Sequence, residues 1–220
     1  KLKDREEGKD LHLGDVYRYI QYIGYKFTEW LVVNAELEFE HAGTISNWEG
    51  KSGSVAVEFL YLDFLLHRKA NIRFGLLLVP VGFINELHEP PFYHGNIRPR
   101  VERILIPSTW REFGGGLFGE LLPGFTYKLF AMNGLNASKF SNTGWRDGRQ
   151  KGARFLSEDW AVILRLDYKK GDLFWIGASA FYGEADQNQA LFTTGNEKKD
   201  AKTFLTDFHL QVKWKGLEFR

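Results

Sequence analysis

The chain has 220 residues, no cysteine and a formal net charge of +1. The missing cysteines exclude a disulfide framework and a cysteine-ligated metal site, and the balanced charge gives no general electrostatic reason to bind nucleic acid. Aromatic residues make up 16% of the chain, which favours an all-β class because such side chains fit a pleated surface. No stretch resembles an interdomain linker, so we expect a single domain over residues 1–220.

The first third of the chain predicts four strands. Residues 1–10 are charged and carry no signal peptide, which predicts a mature or truncated start. The alternation of apolar and polar residues then identifies strands at residues 16–27, 31–40, 55–66 and 71–79. In residues 55–66 the alternation is blurred, which predicts either a strand buried on both faces or a bulge that shifts its phase.

A long polar insertion follows at residues 80–113, rich in proline, histidine, arginine and glutamate. It returns to a strand through the run Gly114-Gly115-Gly116. An insertion of this length without secondary structure is unusual in a compact domain unless it is functional. We therefore interpret it as a functional loop. The remaining predicted strands are residues 112–121, 125–133, 160–168, 173–182, 203–214 and 217–220.

The predicted connections alternate between short turns and long loops, which is typical of an up-and-down barrel in an outer membrane. Six aromatic residues lie near the short turns, where a membrane-interface girdle would place them: Phe27, Trp30, Tyr127, Tyr168, Trp175 and Trp214. No apolar run approaches the roughly 18 residues of a membrane-spanning helix. The sequence thus predicts an all-β fold, an antiparallel up-and-down transmembrane β-barrel with about ten strands present.

Five stretches carry a family resemblance: YIGYKFTEWLVVNAELEFEHA (22–42), VAVEFLYLDFLL (55–66), FGLLLVPVGFINELHEPP (74–91), RPRVERILIPSTWREFGGGLFGEL (98–121) and GRQKGARF (148–155). With these, the chain resembles bacterial outer-membrane porins of the phosphate-selective porin O and P type. The resemblance implies a homotrimer of barrels of about sixteen strands in the bacterial outer membrane, each with an inward-folded loop that narrows its channel. Ten strands are fewer than such a barrel needs, and the chain ends without a terminal aromatic residue. We therefore expect it to be part of a longer chain.

The expected function is passive diffusion of small hydrophilic solutes or ions, with a mild preference for phosphate-like anions. Rings of charged side chains set which ions enter a channel, and arginine binds phosphate or carboxylate bidentately. For each arginine, a structural ion pair that fixes the loop to the wall is the open alternative. The predicted constriction residues are Arg98, Arg100, Arg103, Arg111, Glu86, Glu89, Glu102 and Glu112 from the insertion and Arg18, Glu36, Glu38, Arg165 and Lys213 from the wall.

Other chemistry finds little support in the sequence. Glu36, Glu38 and Glu40 point the same way along one strand, whereas retaining glycoside hydrolysis needs carboxylates on opposite sides of a sugar. His88, Glu89 and His94 are potential zinc ligands, but no further ligand stands at a recognisable spacing. We therefore predict no enzyme activity, metal or cofactor. The partners expected are outer-membrane lipid and small solutes or anions, without nucleic acid. The alternative function is a β-barrel or β-sandwich binding module whose long loops hold a glycan or protein partner.

Overall fold

The computed structural model describes residues 2–3, 10–95, 97–142, 144–189 and 200–220. Its main feature is a ten-stranded antiparallel sheet in which every strand pairs with its neighbours in sequence. The strands are β3 (Arg18–Thr28), β4 (Leu31–Glu40), β5 (Ser54–His67), β6 (Ala70–Leu78), β7 (Arg111–Leu122), β8 (Phe125–Asn133), β9 (Trp160–Lys170), β10 (Phe174–Glu184), β11 (Lys202–Trp214) and β12 (Leu217–Phe219). A separate two-residue pair, β1 (Leu2–Lys3) and β2 (Asp10–Leu11), precedes them.

The all-β class, the antiparallel up-and-down order and the ten strands are confirmed. Within the described part of the chain, β3 and β12 each pair on one side only, so the sheet is open. The predicted limits of the long loop were wrong at one end. Strand β7 begins at Arg111, so the segment between strands comprises residues 79–110, which we call the long loop. Arg111, Glu112 and Phe113 belong to the sheet.

The connections sort by length to the two ends of the sheet, because successive strands run in opposite directions. The short turns at one end are residues 29–30, 68–69, 123–124, 171–173 and 215–216. The long connections at the other end are residues 41–53, 79–110, 134–159 and 185–201. The predicted alternation is confirmed, although residues 190–199 of the last connection lie outside the described residues.

The sheet has an outer face and an inner face, the latter being the face that the long loop covers. Along β9, Trp160, Val162 and Leu164 are exposed on the outer face, whereas Ile163 and Arg165 are buried on the inner one. Strands β6 and β10 and the first half of β11 show the same alternation. Large apolar side chains are thus exposed across the outer face, and charged side chains are covered. Soluble monomers rarely expose a continuous apolar surface of this extent.

A β-bulge explains the blurred alternation in β5. Glu36 of β4 pairs with Phe59, but the next residue, Leu37, pairs with Val57. Glu58 is therefore the extra residue of the bulge. Its side chain is buried and pairs with Arg111 of β7.

The hydrophobic core lies between the long loop and the inner face. Val79, Val81 and Trp110 of the loop pack with buried residues of the sheet, among them Met132 and Phe181. The long loop contains three short helical turns, Asn85–Leu87, Pro90–Phe92 and Val101–Leu105, and residues 134–159 add Ala137–Lys139 and Arg146–Gly148. None of the described helices is long or apolar enough to span a membrane.

Candidate functional site: the loop-covered inner face

The long loop extends across the sheet from one terminal strand to the other. Glu89 contacts Arg18 of β3 at 3.5 Å, and His94 lies 4.0 Å from Glu218 of β12. Between them, Phe83 packs against Trp175 of β10 with ring centroids 4.6 Å apart. Since one loop contacts both terminal strands, the sheet curves around it.

A network of charged groups fixes the first part of the loop to the sheet. Arg165 of β9, only 3% exposed, donates to the carbonyl oxygen of Gly82 at 2.6 Å and binds the carboxylate of Asp167. Glu86 pairs with Lys128 of β8 and lies 3.6 Å from Arg165. Burial opposes the charge of Glu86, but the two cations outweigh burial and lower the pKa of this carboxyl group. Arg165 therefore anchors the loop.

A cavity of about 600 Å³ lies between the loop and strands β3 to β5. Its wall contributes the carboxylates of Glu38, Glu40 and Glu58, and the loop contributes Glu89. Two of these are neutralised locally, because Arg18 pairs with Glu38 and Arg111 binds both oxygens of Glu58 at 2.8 Å. The cavity is also lined by Arg98, Arg146, Arg149 and Lys151, which we call the cation cluster.

The cation cluster makes no salt bridge with any residue that the structure describes. Arg149 instead donates to the backbone carbonyl oxygens of Arg146 at 2.7 Å, Pro107 at 3.0 Å and Thr109 at 2.5 Å. Burial and the neighbouring positive charges lower the pKa of Arg149 to about 10 and also lower the pKa values of Arg146 and Lys151. Arg149 therefore remains charged at neutral pH, and the cation cluster gives the cavity an excess of positive charge.

The structure divides the predicted constriction residues into four groups. Those that line the cavity are Arg18, Glu38, Glu89, Arg98 and Arg111. Glu36 lies on the inner face beside His88 and Glu89. Arg100, Arg103 and Lys213 are exposed and do not line this cavity.

The fourth group comprises Glu86, Glu102, Glu112 and Arg165. Glu102, Glu112 and Arg165 are buried, whereas Glu86 is partly exposed and lines a smaller cavity with Tyr61 and Arg73. Glu112 is fully buried and accepts hydrogen bonds from Asn133 Nδ2 at 2.8 Å and Gln150 N at 2.9 Å. Glu102 is also buried and accepts a bond from Phe83 N at 2.7 Å. Burial raises the pKa of Glu102, and the backbone donors offset this only in part.

Trp175 is another correction. The sequence predicts it in an interfacial girdle on the outer face, but its indole donates to Asp167 Oδ1 at 2.7 Å beneath Phe83. It therefore belongs to the inner face. Phe27, Trp30, Tyr168 and Trp214 are exposed near the short turns, as expected from the pattern.

Sequence reasoning missed three members of the cation cluster, Arg146, Arg149 and Lys151. They belong to the connection 134–159, which folds back over the long loop, since Arg146 donates to the carbonyl of Arg103 at 3.2 Å. That segment is polar without periodicity, so only the arginine content of residues 146–154 gave a signal.

The potential metal ligands also differ from the predicted set. His94 is exposed and lies by Glu218, so it does not join His88 and Glu89. Glu36 of β4 takes its place, and one ligand atom from each of Glu36, His88 and Glu89 lies within 4.8 Å of the other two.

Comparison with known proteins identifies no family. No protein-family model matches the chain. An uncharacterized protein of Aquifex aeolicus (strain VF5) is 37% identical over 209 residues, which cover 94% of this chain and 46% of the relative. The chain therefore spans about half the length of the curated relative that it matches.

Proposed function

We propose that the chain forms part of a transmembrane β-barrel in a bacterial outer membrane, a porin through which small hydrophilic solutes and ions diffuse passively. The proposed channel prefers anions mildly, and its protomers assemble as trimers. Three features support this proposal: the apolar outer face, the loop folded across the inner face, and the uncompensated cation cluster.

The apolar outer face is the observation that carries the proposal. Phe208 in the middle of β11 is 83% exposed, whereas its neighbour His209 is 9% exposed. Tyr25 and Phe27 of β3 are likewise exposed at the other end of the sheet. Lipid is the solvent that favours such a face, because apolar residues outside and polar residues inside are the pattern of transmembrane barrels.

A lipid environment also requires that the sheet close into a barrel. In hydrocarbon, the unpaired N–H and C=O groups at an open edge cost several kcal/mol each. Both edge strands are already drawn around the long loop through Arg18 and Glu218. We propose that further strands complete the barrel between β3 and β12 and that the long loop narrows its interior.

The cavity charges support the anion preference. Of the carboxylates on the cavity wall, Glu38 and Glu58 are held by Arg18 and Arg111. The cation cluster has no such partners among the described residues, and guanidinium groups bind oxyanions well. An anion that enters this cavity thus meets four cationic side chains that form no salt bridge with any described carboxylate.

Planar-bilayer recording of the full-length protein tests this function. We expect stepwise conductance increases. In a potassium chloride gradient, the sign of the reversal potential should show that chloride permeates more readily than potassium. Arg98→Gln should shift that potential toward potassium. A folded protein that remains monomeric without detergent and produces no steps would contradict the porin and favour the binding module, whereas a potassium-selective channel would contradict the anion preference alone.

A further inference from the structure

Three side chains from two elements converge at one edge of the cavity. Glu36 extends from β4, and His88 and Glu89 extend from the long loop. Their ligand atoms lie within 4.8 Å of one another, and His88 Nε2 is 3.8 Å from Glu89 Oε1. A sequence separation of more than fifty residues divides the strand ligand from the loop ligands, so the fold alone brings them together.

His88 has one ring nitrogen in use and one without a partner. Its Nδ1 lies 3.0 Å from the carbonyl oxygen of Asn85, and since a carbonyl only accepts, Nδ1 carries the proton. In the neutral imidazole, Nε2 then has a free lone pair. The residue is only 3% exposed, and Nε2 has no hydrogen-bond partner among the described residues. An imidazole held by a backbone carbonyl is the usual arrangement of a metal ligand.

Glu36 is the second group without a partner. Its Oε1 is buried and accepts no hydrogen bond within the described chain. The neighbouring glutamates Glu38 and Glu58 have their own arginines, and each carboxylate oxygen of Glu89 has a long contact of 3.5 Å with Arg18. Glu36 also lies in the field of Glu89, Glu58 and Glu38 and of the cation Arg18.

We propose that Glu36, His88 and Glu89 bind one divalent transition-metal ion of the zinc type. One imidazole nitrogen and two carboxylate oxygens are suitable ligands for zinc, each at about 2.0–2.2 Å, and water completes a tetrahedral site. Ligand atoms in such a site are roughly 3.5 Å apart, so small rotations of the two glutamate side chains close the observed arrangement.

Such an ion would have two consequences. It would join the loop directly to the wall strand β4, beside the contact of Glu89 with Arg18. It would also supply two positive charges where Glu89 lines the cavity. The site rests on the positions of three side chains and does not require that the protein forms a channel.

Calorimetric titration of the metal-free full-length protein with zinc chloride tests the proposal. We expect one ion per chain, and we expect Glu36→Gln and His88→Gln to weaken binding at least about tenfold. The matched controls are Glu40→Gln, on the same strand and face, and His94→Gln, an exposed histidine of the same loop. Both should bind zinc as the unmodified protein does.

Cobalt provides a second measurement that reports the ligands. Bound Co²⁺ should give a visible absorption band that His88→Gln removes and His94→Gln retains. If His88→Gln does not fold, Glu36→Gln decides the question, since Oε1 of Glu36 has no hydrogen bond to lose. Absence of saturable zinc binding, or equal affinity in Glu36→Gln and Glu40→Gln, would overturn the site. Neither result depends on conductance, so the proposed metal site and the proposed porin function are tested independently.

Discussion

Val79 donates its backbone N–H to the carbonyl oxygen of Trp110 at 2.9 Å, which joins the two ends of the long loop. We call this closed base of the long loop the neck, and the fully buried Asn85 stabilises it. Its Nδ2 donates to the carbonyl oxygens of Val79 at 2.7 Å and Trp110 at 2.8 Å, and its Oδ1 accepts from Trp110 N at 2.7 Å. The loop is therefore closed at its base before it crosses the sheet.

Asn85→Ala should destabilise the protein by about 2–4 kcal/mol, because it leaves buried backbone groups unpaired at a cost of about 1–3 kcal/mol each. Chemical denaturation measures the change. Asn47→Ala is the matched control, since the side chain of Asn47 also bonds to the backbone, its Oδ1 accepting from Glu49 N and Lys51 N, but at an exposed site. If the two variants lose the same stability, the neck does not hold the loop.

Gly82 follows the neck and combines a left-handed backbone with crowding. Its φ is +80°, and an added Cβ would lie 2.6 Å from Glu102 Oε2 and 2.7 Å from Ile106 Cδ1. Gly50 has a similar φ of +74° but open space around it. We expect Gly50→Ala to cost about 1 kcal/mol from backbone strain alone. Gly82→Ala should cost about 3 kcal/mol in the same denaturation measurement. Equal losses of stability in the two variants would show that the loop shifts to accommodate the added methyl group.

The buried carboxyl group of Glu102 predicts a pH dependence. Because its pKa is raised in the folded protein, its protonated form stabilises the fold below the usual glutamate pKa, and this contribution is lost as pH rises through the raised value. Glutamine does not titrate, so Glu102→Gln should become more stable relative to the unmodified protein between about pH 4 and pH 8. Asp207 and His209 face the same group and are present in both proteins. A stability difference that does not change with pH would contradict the assignment.

A comparison of Arg98 with Arg100 tests whether an arginine must line the cavity, and not only belong to the long loop, to affect ion selectivity. Arg98 lines the cavity, whereas Arg100 is exposed and does not. Neither makes a salt bridge with a described residue, so neither Arg98→Gln nor Arg100→Gln should change the melting temperature by more than about 2 °C. In reversal-potential measurements, Arg98→Gln should lower the preference for chloride and Arg100→Gln should leave it near the original value. Equal effects of the two variants would show that the cavity is not the selective part of the path.

The strands were predictable because their signal is local. In β9 and in the first half of β11 the side chains alternate between exposed and covered positions, and this period of two is visible in the sequence. The separation of short and long connections followed from the same strands. Even the bulge at Glu58 left a trace as a break in the alternation of β5.

The arrangement of the candidate site was not predictable, because long-range packing determines it. Glu112 looked like a loop carboxylate, but it is covered by residues 134–159, which reach it through Gln150. The position of Trp175 near a short turn predicted an interfacial residue, and nothing in the sequence indicated that Phe83 packs against it. The contact of Glu36 with His88 and Glu89 likewise depends on where the loop meets the wall.

The central claim is that the outer face of the sheet contacts lipid, and Phe208→Arg tests it most directly. The unfolding free energy should be measured for the protein folded into phospholipid vesicles. Arginine at the midplane of a barrel's lipid face costs about 2–4 kcal/mol, so we expect a loss of that size. Ile45→Arg, at a position 76% exposed in the connection 41–53, should cost less than about 0.5 kcal/mol. Equal stability of the two variants would contradict the claim.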